Sequence, residues 1–87
     1  MGEFDVVEDW LAYLRGVLDL EGLEAVDVGH LLGAVRAIAH GVTHPAGPVA
    51  AFAAGYAAAR SGGGSIAVTA AIDTAAAAAE SFAGSHD

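Results

Sequence analysis

Residues 39–60 read AHGVTHPAGPVAAFAAGYAAAR, and the reading of this stretch decides the fold. Gly41, Pro45 and Pro48 break one helix and start another, because proline fits only the first turn of a helix. From Pro45 or Pro48 to Arg60 hardly a polar group interrupts the chain. That pattern predicts a helix apolar nearly all round, which is central in a bundle or sits at an interface. Val49, Phe52 and Tyr56 form its bulky face, and Gly47, Ala51, Gly55 and Ala59 recur every fourth residue as a thin one.

Working towards the N-terminus, Val28, Leu31, Leu32, Val35, Ile38 and Ala39 recur at helical spacing. They predict a second helix over 28–40, capped by Asp27 and closed by a left-handed Gly41. Residues 19–26 read as a connection in which Leu20 and Leu23 tuck against the core. Before it, Val7, Trp10, Leu11, Leu14, Val17 and Leu18 share one face of a first helix over 6–18. Asp5 is its expected cap and Glu8 completes a capping box, and Trp10 is read as a core residue. The first two helices are expected to pair as a hairpin.

Towards the C-terminus, residues 61–64 read as a flexible glycine-rich linker. A fourth helix is expected over 66–83, capped by Ser65 and ended by Gly84. Val68, Ile72, Ala75, Ala79 and Phe82 lie on its seam. No alternating run or hairpin turn predicts a strand. The expected fold is therefore all-α: a small antiparallel bundle of four helices forming a single domain over 1–87, with frayed ends at about 1–4 and 84–87.

Composition narrows function mostly by exclusion. There are 11 acids and 3 arginines, no lysine and no cysteine, for a net charge of −8. Residues 1–27 carry eight of the acids and Arg15, whereas residues 28–72 contain no acid and both Arg36 and Arg60. That balance argues against nucleic acid and anionic membranes as partners. The apolar run 45–59 is too short to span a bilayer, and the acidic start is unlike a signal peptide. A cytoplasmic protein is expected. With no thiol or lysine, and serines only at 61, 65, 81 and 85, the parts of a nucleophilic site are missing. No enzymatic activity, cofactor or metal is expected. His40 and His44 have metal-ligand spacing only on a continuous helix, which Gly41 and Pro45 interrupt.

Two candidate sites follow. Arg36, His40, Thr43 and His44 surround the start of the third helix, where free amides and the helix dipole favour an anion. Against this, Arg36 pairs with an acid of the first helix or connection and Thr43 merely caps. The other candidate is a partner or homodimer interface on Gly47, Ala51, Gly55 and Ala59 with Tyr56, the aromatics Trp10, Tyr13 and Tyr56 serving as anchors. Against this, the small residues serve ordinary packing inside the bundle.

Ala39, His40, Gly41, Val42, Pro45, Ala46, Pro48, Phe52 and Gly55, with the opening DWLAYL at 9–14, carry a family resemblance. The chain resembles a small actinobacterial helical domain family of unknown function. Its members stand alone, or are associated with or fused to molybdopterin-guanine dinucleotide biosynthesis proteins. The similarity spans roughly residues 9–64, with His44 where the family carries arginine and Gly47 where it carries alanine. The resemblance implies a helical accessory domain near molybdenum-cofactor metabolism. It implies no ligand, and the chain lacks the glycine-rich nucleotide loop of a guanylyltransferase. The expectation is a protein-interaction or accessory module, with a small-anion or nucleotide-binding domain as the alternative.

Overall fold

A computed structural model describes residues 2–21, 23 and 26–85. It contains α1 (Glu3–Val17), α2 (Val28–Gly41), α3 (Ala46–Arg60) and α4 (Ser65–Ser85), and no strand among the described residues. The all-α expectation holds, with the helices one to three residues longer or shorter at their ends. Asp27 caps α2 as read, its Oδ1 accepting from the His30 amide at 3.0 Å. Four end signals act differently. Ser65 is the first residue of α4 rather than its cap, and the helix is entered at Gly64, whose carbonyl accepts from the Val68 amide at 3.1 Å. Asp5 is not the cap of α1; it lies inside the first turn, and its carboxylate accepts from the Gly2 amide at 3.3 Å. Gly41 is the last residue of α2 rather than a left-handed stop, and Val42 follows it as the cap. Gly84 does not end α4, which runs on to Ser85.

The core lies between α2, α3 and α4, each packed on the other two. Ile38, Ala54, Ile72 and Ala79 form its centre, with Leu31, Val35 and Val42 against them. Alanine dominates the contribution of α3, where Ala54 and Ala58 are buried together with Gly47. Small side chains let helix axes approach closely, and at Gly47 a Cβ would stand 2.9 Å from Val35 Cγ1 and 3.0 Å from the Val35 carbonyl oxygen. The connections 42–45 and 61–64 fold α3 back along α2 and α4 back along α3.

α1 does not belong to this core. None of its residues is buried, and Trp10, expected inside, is 56% exposed. Leu20 is exposed as well, while Leu23 is half-buried. Nor do α1 and α2 pair as an antiparallel hairpin. The Phe4 ring sits at Gly29, so the first turn of α1 meets the first turn of α2. The reason is competition for surface: α3 and α4 already occupy the apolar sides of α2, and the connection 18–27 is long enough to lead α1 elsewhere. The radius of gyration, 13.5 Å, exceeds the roughly 12 Å of a tightly packed chain of this length.

The glycine-rich stretch is a helix-closing turn rather than a loose linker. The Gly63 amide donates to the Ala58 carbonyl at 2.8 Å and the Gly62 amide to that of Ala59 at 3.3 Å. These are the two reversed bonds that close a helix through a left-handed residue. Gly62, Gly63 and Gly64 take φ of 103°, 76° and 90°, where a Cβ would meet the neighbouring carbonyl. The same pair of bonds closes α1, with Asp19 as the left-handed residue at φ 55°. Gly62→Ala is expected to cost about 1–2 kcal/mol. A thermal melt that leaves Tm unchanged would show that the turn relaxes freely.

Candidate functional site

Leu32, Arg36 and His40 stand one turn apart along α2. His44 from the connection and Pro48 from the first turn of α3 face them. With Val35 and Ala39 as floor, these side chains line a groove of about 550 Å³. Three of the four residues of the anion reading thus converge, while Thr43 lies outside the groove. The amides that this reading requires are already engaged. Ala46 donates to the Thr43 carbonyl at 3.1 Å and Gly47 to that of His44 at 3.3 Å, and Pro48 has no N–H. Thr43 provides a carbonyl to this turn, and Pro45, not Thr43, is the cap of α3. Arg36 forms no ion pair with any described residue, so the expected pairing with an acid of the first helix is not made there. Among the described residues no three His, Asp or Glu side chains are grouped to hold a metal.

The ion pair that forms among the described residues was illegible in sequence. His30 Nε2 meets Asp73 Oδ1 at 2.5 Å, tying the start of α2 to the middle of α4 across 43 positions. The hydrogen bond to Asp73 and then its charge raise the His30 pKa above its ordinary 6.5; desolvation opposes them, and the charge of Asp27 adds a lesser upward push. The folded chain therefore holds this proton more tightly than the unfolded chain. The contribution is fully present below about pH 6.5 and is lost as pH rises through the elevated folded value. Melting curves of wild type and His30→Gln are expected to differ most near pH 5.5 and to draw together by about pH 9. A difference independent of pH would count against the pair.

The thin stripe of α3 is divided by the fold. Gly47 is buried against Val35 and Ala39 and is closed to any partner, and Ala51 is half-buried. Gly55 and Ala59 face outward, with open space around Gly55. The bulky face points away from the core: Val49, Phe52 and Tyr56 are 67%, 79% and 56% exposed. Phe52, Tyr56 and Arg60 border a shallow cavity of about 310 Å³. On α1, Val6, Trp10, Tyr13 and Val17 recur at steps of four and three and are all more than half exposed. The Trp10 and Tyr13 rings stack, with centroids 6.0 Å apart and planes 17° from parallel.

Helical spacing marks both rows as apolar stripes, yet it cannot say which stripe of a two-sided helix is turned inward. On α3 the close approach at Gly47 selects the alanine side, because only small residues fit there. Neither a characterised protein nor a solved structure matches this sequence. One family does, described as a domain of unknown function (DUF6457), and the match extends over residues 3–87. A four-helix chain with a thin alanine-rich core and two outward apolar stripes, matched from its first helix to its last residue, belongs to the DUF6457 family.

Proposed function

We propose that the chain is a non-catalytic protein-interaction or accessory module, acting in the cytoplasm through the outward apolar faces of α1 and α3. One observation carries this reading: among the described residues, thirteen large apolar side chains are exposed, whereas only Val28, Ile38 and Ile72 are both buried and larger than alanine. Soluble monomers rarely leave contiguous patches of this kind uncovered. Aromatic side chains such as Trp10, Phe52 and Tyr56 supply contact area at low entropic cost.

The resemblance to chains associated with molybdopterin-guanine dinucleotide biosynthesis proteins supports the finer part of the proposal, a partner from that chemistry. The absence of lysine and cysteine supports a role without catalysis. By length and composition α4 could cross a membrane. Asp73 at its middle argues against that, since an acid there costs about 2.5–3.5 kcal/mol. The net charge of −8 disfavours nucleic acid.

The test is a titration of the isotope-labelled chain with the purified molybdopterin-guanine dinucleotide biosynthesis protein of the same genome. Saturable perturbation of amides on the Trp10 and Phe52 faces is expected. No perturbation up to about 1 mM, where binding is worth only about 4 kcal/mol, would overturn the molybdenum connection. A parallel titration with inorganic phosphate addresses the small-anion alternative. Shifts confined to Arg36, His40 and His44 would favour that alternative over the interaction module.

A further inference from the structure

Two outward faces of this chain match each other in kind. The α1 row of Val6, Trp10, Tyr13 and Val17 is bordered by acids, with Asp9 one turn before Tyr13 and Glu3 at the opposite edge. The α3 row of Val49, Phe52 and Tyr56 lies in the part of the chain that contains no acid. Arg60 shares the cavity beside Phe52 and Tyr56. Arg36 lines the adjoining groove, whose α3 wall is Pro48, one turn before Phe52.

An apolar stripe edged by carboxylates and an apolar stripe edged by guanidinium groups satisfy each other when joined. Burial of the rings removes apolar area from water, and opposite charges at the rim set orientation and partner choice. Like faces would instead bring acids against acids at α1 and guanidinium groups against one another at α3, which is unfavourable. Within one chain the two rows stay apart: α1 makes its contact at Gly29 on α2, and both rows are open to solvent.

We propose that the occupant of the α3 face is α1 of a second copy of this chain, in a reciprocal dimer where each copy gives one α1 and receives another. The proposal rests on the interaction reading above and names one partner for it. Each copy uses two different faces, so the dimer contains the same contact twice, related by a two-fold axis.

That arrangement has a distinctive genetic signature. Trp10→Ser removes the donor face and Phe52→Ser the acceptor face, and each single variant spoils both contacts of its own homodimer. Mixing the two variants restores one intact contact. Both residues are exposed in the single chain, so neither change touches the core, and unchanged helical circular dichroism checks the fold. By light scattering the wild-type chain is expected at twice the monomer mass. Each variant alone should dissociate at least about tenfold more readily, and an equimolar mixture should recover a large part of the wild-type association.

A wild-type chain that remains monomeric up to about 1 mM, the weak end of specific binding, would overturn the dimer. So would a dimer indifferent to either substitution, or a mixture no better associated than its components, the result expected if like faces pair. The titration with a second protein is read separately. A monomer that binds such a partner sinks this inference and leaves the interaction reading standing; a dimer that binds none retains this inference and removes the molybdenum connection.

Discussion

Ile72→Ala is expected to lower stability by about 2–5 kcal/mol, the cost of deleting most of a fully buried aliphatic side chain. Ile72 is the most completely enclosed large residue, at 1% exposure, and it stands where α4 meets α2 and α3. The surroundings cannot readily close over the cavity, because Ala54 and Ala79 are already small and offer no long side chain to swing in. A small single domain commonly has a total stability near the low end of about 5–15 kcal/mol. The substitution therefore removes a large share of it. A fall in Tm of at least about 10 °C is expected, since 1 kcal/mol corresponds to about 4–8 °C in a domain of this size. Ile66→Ala, the same change near the start of the same helix, is the control. Ile66 is 85% exposed, and its replacement is expected to stay within about 0.5 kcal/mol. Equal effects at the two positions, measured by thermal or denaturant unfolding, would contradict the placement of the core.

Gly47→Leu and Gly55→Leu should change stability in opposite directions. Both glycines lie in α3, where leucine is the better helix former by roughly 0.5–1 kcal/mol. At Gly55 nothing lies within 4 Å of the new Cβ, so that gain is expressed. At Gly47 the Cβ would stand 2.9 Å from Val35 Cγ1 and 3.0 Å from the Val35 carbonyl oxygen. The methyl group can turn aside, but the carbonyl belongs to the α2 backbone and moves only if the helices separate. Overpacking of this kind costs about 1–3 kcal/mol or more, which exceeds the propensity gain. Gly47→Leu is therefore expected to be destabilising by about 1–2 kcal/mol net. A rise in Tm for both variants would mean that α2 and α3 are farther apart than described.

The parts of the fold legible in sequence are those governed by local rules. The 28–40 stripe, the Asp27 cap and the break at 41–48 follow from periodicity, side-chain capping and proline geometry, and all three are found. Helix ends are less legible where two local signals compete. Asp5 can either cap a helix or accept inside its first turn, and an additional helical turn over Glu3 and Phe4 resolved the choice. Gly41 carries a stop signal, but no left-handed φ is needed where Val42 leaves the helix.

The candidate sites depended on more distant partners. Arg36, His40 and His44 were brought together because a one-turn spacing and a short loop are local facts. The engagement of the Ala46 and Gly47 amides is a detail of the turn that no spacing reveals. The His30–Asp73 pair joins residues 43 positions apart, and neither residue has a local feature that names the other.

Sequence by itself determined that this chain is helical, that α2 begins behind the Asp27 cap and a break falls at 41–48, and that its charge is divided between an acidic front and an acid-free middle. These are consequences of neighbouring residues along one strand of backbone. Tertiary structure alone decided which apolar stripe of each helix is covered. A stripe is buried only if another helix reaches it, and at Gly47, Ala54 and Ala58 of α3 the backbones come close enough to claim that side first. The aromatic rows of α1 and α3 were left outside by that choice.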